Sequence, residues 1–97
     1  MSDWVRVANF DADGDAVEAM VKEIGEAEGP PEGIPAKSIL VLADRENGKA
    51  RIVVRFDSEE NLRTGSATLE GMQPPAGANV RRTSVEKFEV LLERQAP

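Results

Sequence analysis

In the run Lys49-Ala50-Arg51-Ile52-Val53-Val54-Arg55-Phe56, two arginines recur four residues apart among apolar neighbours. Side chains alternate across a pleated strand, so Arg51, Val53 and Arg55 share one face and Ile52, Val54 and Phe56 the other. In the earlier run Trp4-Val5-Arg6-Val7-Ala8-Asn9-Phe10, Asn9 shares a face with Val5 and Val7. A guanidinium offers planar paired donors to a carboxylate or phenolate. If those two faces line one interior, Asn9, Arg51 and Arg55 are candidate ligand-binding residues for an anionic or phenolic small molecule. The ordinary alternative is ion pairs with Glu86 or Glu89 across an interface, or plain solvation. Arg6, on the opposite face from Asn9, is the fourth candidate. It can reach a cleft between sheet and helices, or pack its stem and carry its charged end to the rim.

Other clusters carry less chemistry. Asp11, Asp13 and Asp15 alternate as hard-cation ligands would, but a calcium loop counted from Asp11 wants Gly where Ala16 stands and Glu where Lys22 stands. Acidic residues at the positive end of a helix account for the cluster, and no metal is expected. Arg81-Arg82-Thr83-Ser84 matches a short basophilic kinase pattern at what reads as a strand entry. Glu59 and Glu60 are adjacent on a helix and point apart, so first-turn capping describes them better than paired acid–base work. The chain has no Cys and no His, which removes thiolate nucleophiles, imidazole bases, disulfides, His-ligated zinc and axial-His haem. No cofactor is expected.

The elements that must position these residues follow from periodicity. Trp4 to Phe10 reads as a first strand. Val17, Met20, Val21 and Ile24 fall at helical spacing, with Asp13 or Asp15 to cap the start and Gly25 or Gly29 near the end, which predicts a helix over residues 14–27. Glu28 to Pro35 is too rich in Pro and Gly for regular structure. Ile39 to Ala43 is an apolar run too short for a helix, and Asn47-Gly48 can take hairpin φ angles, so a second strand turns back into a third whose Ile52, Val54 and Phe56 face the core. Asp57-Ser58-Glu59-Glu60 reads as a capping box opening a second helix over residues 58–70. Leu62, Ser66, Leu69 and Met72 lie on one stripe of it, and Gly65 weakens it. After the loop Gly71 to Ala78, Val80 to Leu92 is strand-like, with Phe88, Val90 and Leu92 on one face.

Ninety-seven residues in the order β-α-β-β-α-β describe one domain, residues 1–97, of α+β class. The expected architecture is ferredoxin-like: a four-stranded antiparallel sheet, strands one and three central, with both helices on one face. No helix is left for the other face, yet the second strand is apolar on both sides, and Val5, Val7, Val53 and Leu91 add apolar area. A second copy packing sheet to sheet is the simplest cover, so a homodimer through the open sheet face is expected.

Four segments resemble known proteins: Arg6-Val7-Ala8-Asn9-Phe10, Val41-Leu42-Ala43-Asp44-Arg45-Glu46-Asn47-Gly48-Lys49, Phe56-Asp57-Ser58-Glu59-Glu60 and Ser84-Val85-Glu86-Lys87-Phe88-Glu89-Val90. Together they are similar to small members of the dimeric α/β-barrel superfamily that includes the antibiotic biosynthesis monooxygenases. The resemblance covers nearly the whole chain and rests on structural motifs: a turn, a helix start, a strand edge. It implies the ferredoxin-like fold and the dimer. In that superfamily, cofactor-independent monooxygenases act on polycyclic phenols and other members degrade haem, drawing on Asn, Trp, His, Tyr or Arg near a cavity beside the sheet. This chain departs from those patterns. The haem ligand His is missing, the family's strand-one Asn falls on Ala8, one position from Asn9, and the helix-two Trp has no counterpart after Asp57.

Twelve basic against eighteen acidic residues leave a net charge of −6, which works against a phosphate backbone, and four aromatics in the chain do not furnish the stacking face of an RNA-recognition module. No stretch approaches a membrane span, and Met1-Ser2-Asp3-Trp4 opens no signal peptide, so a cytoplasmic protein with no nucleic-acid or membrane partner is expected. Two functions fit. The first is a dimeric small-molecule-binding module without an assigned reaction; the second is a cofactor-independent monooxygenase-like enzyme acting on a small aromatic or phenolic substrate. An enclosed pocket with converging polar groups is what separates them.

Overall fold

A computed structural model describes residues 2–27, 33–71 and 80–96. The elements are β1 (Trp4–Ala12), α1 (Gly14–Glu26), β2 (Ser38–Asp44), β3 (Lys49–Phe56), α2 (Glu59–Glu70) and β4 (Val80–Glu89). The strands form one antiparallel sheet in the order β2-β3-β1-β4, which with two helices is the ferredoxin-like α+β fold. Neither helix is long and apolar enough to cross a membrane.

Both helices start on side-chain caps. Asp13 Oδ1 accepts from the Ala16 amide at 2.8 Å, satisfying one of α1's free donors. Its sheet-facing stripe is Ala16, Val17, Met20 and Ile24, while Val21 is exposed. The expected stripe is therefore rotated toward Ala16, the smallest side chain, which lets α1 sit close on β1. In α2 the cap is Ser58, whose Oγ accepts from the Asn61 amide at 3.1 Å, and Asn61 Nδ2 donates to Asp57 Oδ1 at 2.7 Å. The expected capping box starting at Asp57 is thus shifted by one residue, and Asn61 takes the third helical position. Leu62, Ser66 and Leu69 point to the core as the stripe predicts; Met72 and Gly29 lie outside the described residues, as do most of the two Pro/Gly loops.

Gly65 is a close approach and no weakness in the packing. A Cβ built there would collide with Phe56 Cε1 and stand 2.7 Å from Cζ, and the Phe56 ring is completely buried. The glycine lets α2 descend onto β3 over that ring, with Ile34 packed beside it. At the β2–β3 hairpin, Gly48 takes φ +66°, and Asp44 accepts from the Asn47 amide and side chain at 3.3 and 2.7 Å.

The core lies between sheet and helices: Ala8, Phe10 and Ala12 of β1, Ala50, Ile52, Val54 and Phe56 of β3, with the helix stripes above. Arg51, Val53 and Arg55 face the other way, as alternation requires. Strand β4 differs from expectation in two respects. It ends at Glu89, because β1 begins at Trp4, opposite Glu89, and beyond one more bond, Val90 N–H to Asp3 O at 2.8 Å, no partner strand is left. Val90 and Leu92 thus do not extend the Phe88 face within the strand. The β1–β4 register also shifts between Asn9 and Phe10, which pair with Ser84 and Arg82, leaving Thr83 as the extra residue of a β-bulge.

Candidate functional site

The pairing register sets out the helix-free face as four rows across β2, β3, β1 and β4. They read Asp44-Lys49-Asp11-Arg81, Leu42-Arg51-Asn9-Ser84, Leu40-Val53-Val7-Glu86 and Ser38-Arg55-Val5-Phe88. The first row alternates in charge: Lys49 Nζ lies 2.7 Å from Asp11 Oδ1 and Arg81 Nη2 lies 3.5 Å from Asp11 Oδ2. Those cations hold the Asp11 carboxyl below the usual carboxylate range, Lys49 most strongly. The other three rows are half apolar, with Leu40, Val53, Val7, Val5 and Phe88 adjacent to one another, and Leu40 (55%), Leu42 (43%) and Phe88 (48%) are among the most exposed large apolar side chains of the sheet.

Asn9 and Arg51 are cross-strand neighbours on this face, so the structure brings these two predicted residues together. Asn9 Nδ2 donates to Ser84 Oγ and to Glu86 Oε1, both at 3.0 Å, which leaves its Oδ1 as an unused acceptor. Arg51 lines an open depression of about 350 Å³ at the hairpin end, with Leu42, Asp44 and Lys49 among its other walls. Arg55 is already engaged: its Nε donates to Asp3 Oδ2 at 2.6 Å and its Nη2 to Glu93. Lys37 Nζ joins at 3.1 Å from the same Asp3 oxygen. Hydrogen bonds from Lys37 and Arg55 pull the Asp3 carboxyl below its ordinary pKa, and Arg55 does the same to Glu93. Within the chain, Arg55 is thus partnered by Asp3 and Glu93, residues flanking the sheet that no local pattern ties to it.

Arg6 is on the opposite face, as alternation predicts, and it does not reach the rim. It is 3% exposed, and its Nε and Nη2 atoms are buried without a hydrogen-bond partner. Burial pushes its pKa down, the Arg82 charge adds to that, and Glu70 opposes it. No group of three or more acidic side chains suited to a metal occurs among the described residues; Asp13 is the α1 cap and Asp11 belongs to the charged row. Glu59 pairs with Arg63 one turn on, an exposed helix-surface contact. Neither a protein-family model nor a curated protein matches the chain.

Proposed function

We propose that this chain is a small-molecule-binding module that works as a homodimer, two copies closing their helix-free sheet faces on one another as in the dimeric α/β-barrel proteins it resembles. The observation that carries this reading is the composition of that face: Val5, Val7, Leu40, Leu42, Val53 and Phe88 form a contiguous apolar field, three of them about half exposed. Contiguous apolar area of this kind marks an association surface. A two-fold dimer reuses one patch on both subunits, and the alternating charges of the Asp44-Lys49-Asp11-Arg81 row suit a self-complementary rim. Such packing would enclose Arg51 and the free Asn9 Oδ1, supplying a donor and an acceptor for a bound molecule.

Native mass spectrometry of gently purified protein tests both parts together. The expected result is a species at twice 10.5 kDa, with any retained ligand as added mass. A 10.5 kDa species alone at micromolar concentration overturns the dimer.

A further inference from the structure

Between the sheet and the helices, two buried polar side chains, Arg6 and Ser66, carry atoms without hydrogen-bond partners. Arg6 lies between Val54 of β3 and Lys87 of β4, one pleat repeat from Trp4, and its Nε and Nη2 lack partners while 97% of the residue is buried. Nε and Nη2 form the side-on edge of a guanidinium, the edge that takes both oxygens of a carboxylate in parallel hydrogen bonds. A charge enclosed in a core without a hydrogen-bonded partner is costly, and local conflicts of this kind are expected at functional sites.

Three features add to this edge. The bulge at Thr83 reverses the alternation of β4, so that Arg82 joins Val85 and Lys87 on the helix-facing side; without it, Arg82 would face the open side. Arg82 is close enough for its charge to bear on Arg6, and so is Glu70, but the Glu70 carboxylate is also shared with Lys87, 3.8 Å away. Above the sheet, one turn before Glu70, Ser66 is buried with its Oγ unpartnered. Two arginines, Arg6 and Arg82, thus belong to the helix-facing side of the sheet, and Ser66 is buried on the helix packed over it, with Val54, Trp4 and Phe56 supplying apolar surface. The layer between them is least covered toward β4, where Arg82 and Val85 are half-buried and Lys87 is exposed.

We propose that the layer between α2 and strands β1 and β4 is a binding site for a small organic carboxylate, held side-on by Arg6 with Ser66 and Arg82 assisting, its apolar body against Trp4. This site lies on the opposite side of the sheet from the Arg51 and Asn9 site proposed above, and is independent of the dimer. A calorimetric titration of the full chain with benzoate, using benzamide as the neutral isostere, tests it. Wild type should bind benzoate saturably and benzamide not at all. Arg6→Met should weaken benzoate at least about tenfold, Ser66→Ala severalfold, and Arg63→Met, on the exposed surface of α2, not at all. Near-ultraviolet circular dichroism checks that each variant keeps its packing, and Ser66→Ala tests the same site with the guanidinium left in place. Absence of saturable benzoate binding, equal binding of benzamide, or equal binding by wild type and Arg6→Met overturns the site. Loss in Arg51→Met with retention in Arg6→Met also overturns it, while leaving ligand binding on the open face standing. A monomeric wild type that binds benzoate through Arg6 supports this site and removes the dimer.

Discussion

Replacing Arg6 by Met should make the protein more stable. Methionine follows the guanidinium's aliphatic stem and stops short of its charged end, so it keeps most of the contacts with Val54 and the surrounding core. What it removes is a 3%-exposed charge with two unpaired donors, repelled by Arg82 and only partly compensated by Glu70. Exchange of buried charged groups for apolar ones of similar volume has been neutral or stabilising by roughly 1–4 kcal/mol. With two donors unmatched the gain should be at least about 1 kcal/mol, which in a domain of this size raises Tm by roughly 4–8 °C. Thermal and urea denaturation followed by circular dichroism, with the m-value checked for constancy, measure it. Arg6→Ala is the control: it removes the same charge but leaves a void, and should fall below Arg6→Met by about 1–3 kcal/mol. An Arg6→Met variant several degrees less stable than wild type would refute the reasoning, since it would mean that the buried guanidinium is well paired.

Gly65→Ala should destabilise by about 1–2 kcal/mol despite alanine's higher helix propensity, because the new Cβ meets the buried Phe56 ring; an unchanged urea midpoint would show that α2 can lift off β3 freely. The double substitution Leu40→Lys with Leu42→Lys should convert the proposed dimer to monomer with unchanged circular dichroism, and a dimer that survives it would place the interface elsewhere. Asp3, Asp11 and Glu93 have native pKa values below their ordinary ones, so the unfolded chain binds more protons as acid is added. Their contribution is complete above the ordinary carboxylate range, near pH 4, and is lost as pH falls through the depressed values. The urea midpoint should therefore hold from pH 7 to about 5 and decline below about 4, with a shallower decline in Asp3→Asn; a stability that rises on acidification would contradict the ion-pair assignments.

Local patterns in the sequence carry the elements and the faces. Alternation in β3 separates Ile52, Val54 and Phe56 from Arg51 and Arg55, and capping residues mark both helix starts to within a residue. The failures occur where a residue's role depends on something distant along the chain. Arg55 is neutralised from 52 residues away by Asp3 and 38 away by Glu93, so it is no longer available as a free anion receptor. The end of β4 is set by where β1 begins. Gly65 resembles a helix breaker until Phe56 is placed beneath it. The bulge at Thr83 has no glycine to announce it, and it alone decides which face receives Arg82. For Arg6, alternation gives the side but not the depth: whether a long cationic side chain reaches the rim depends on what packs over it.

Sedimentation velocity of the wild-type full chain across micromolar concentrations tests the central claim most directly. Closure of two helix-free sheet faces predicts a single boundary at twice 10.5 kDa, with dissociation only on dilution. A 10.5 kDa species throughout that range, with Leu40, Leu42 and Phe88 left to solvent, would contradict it.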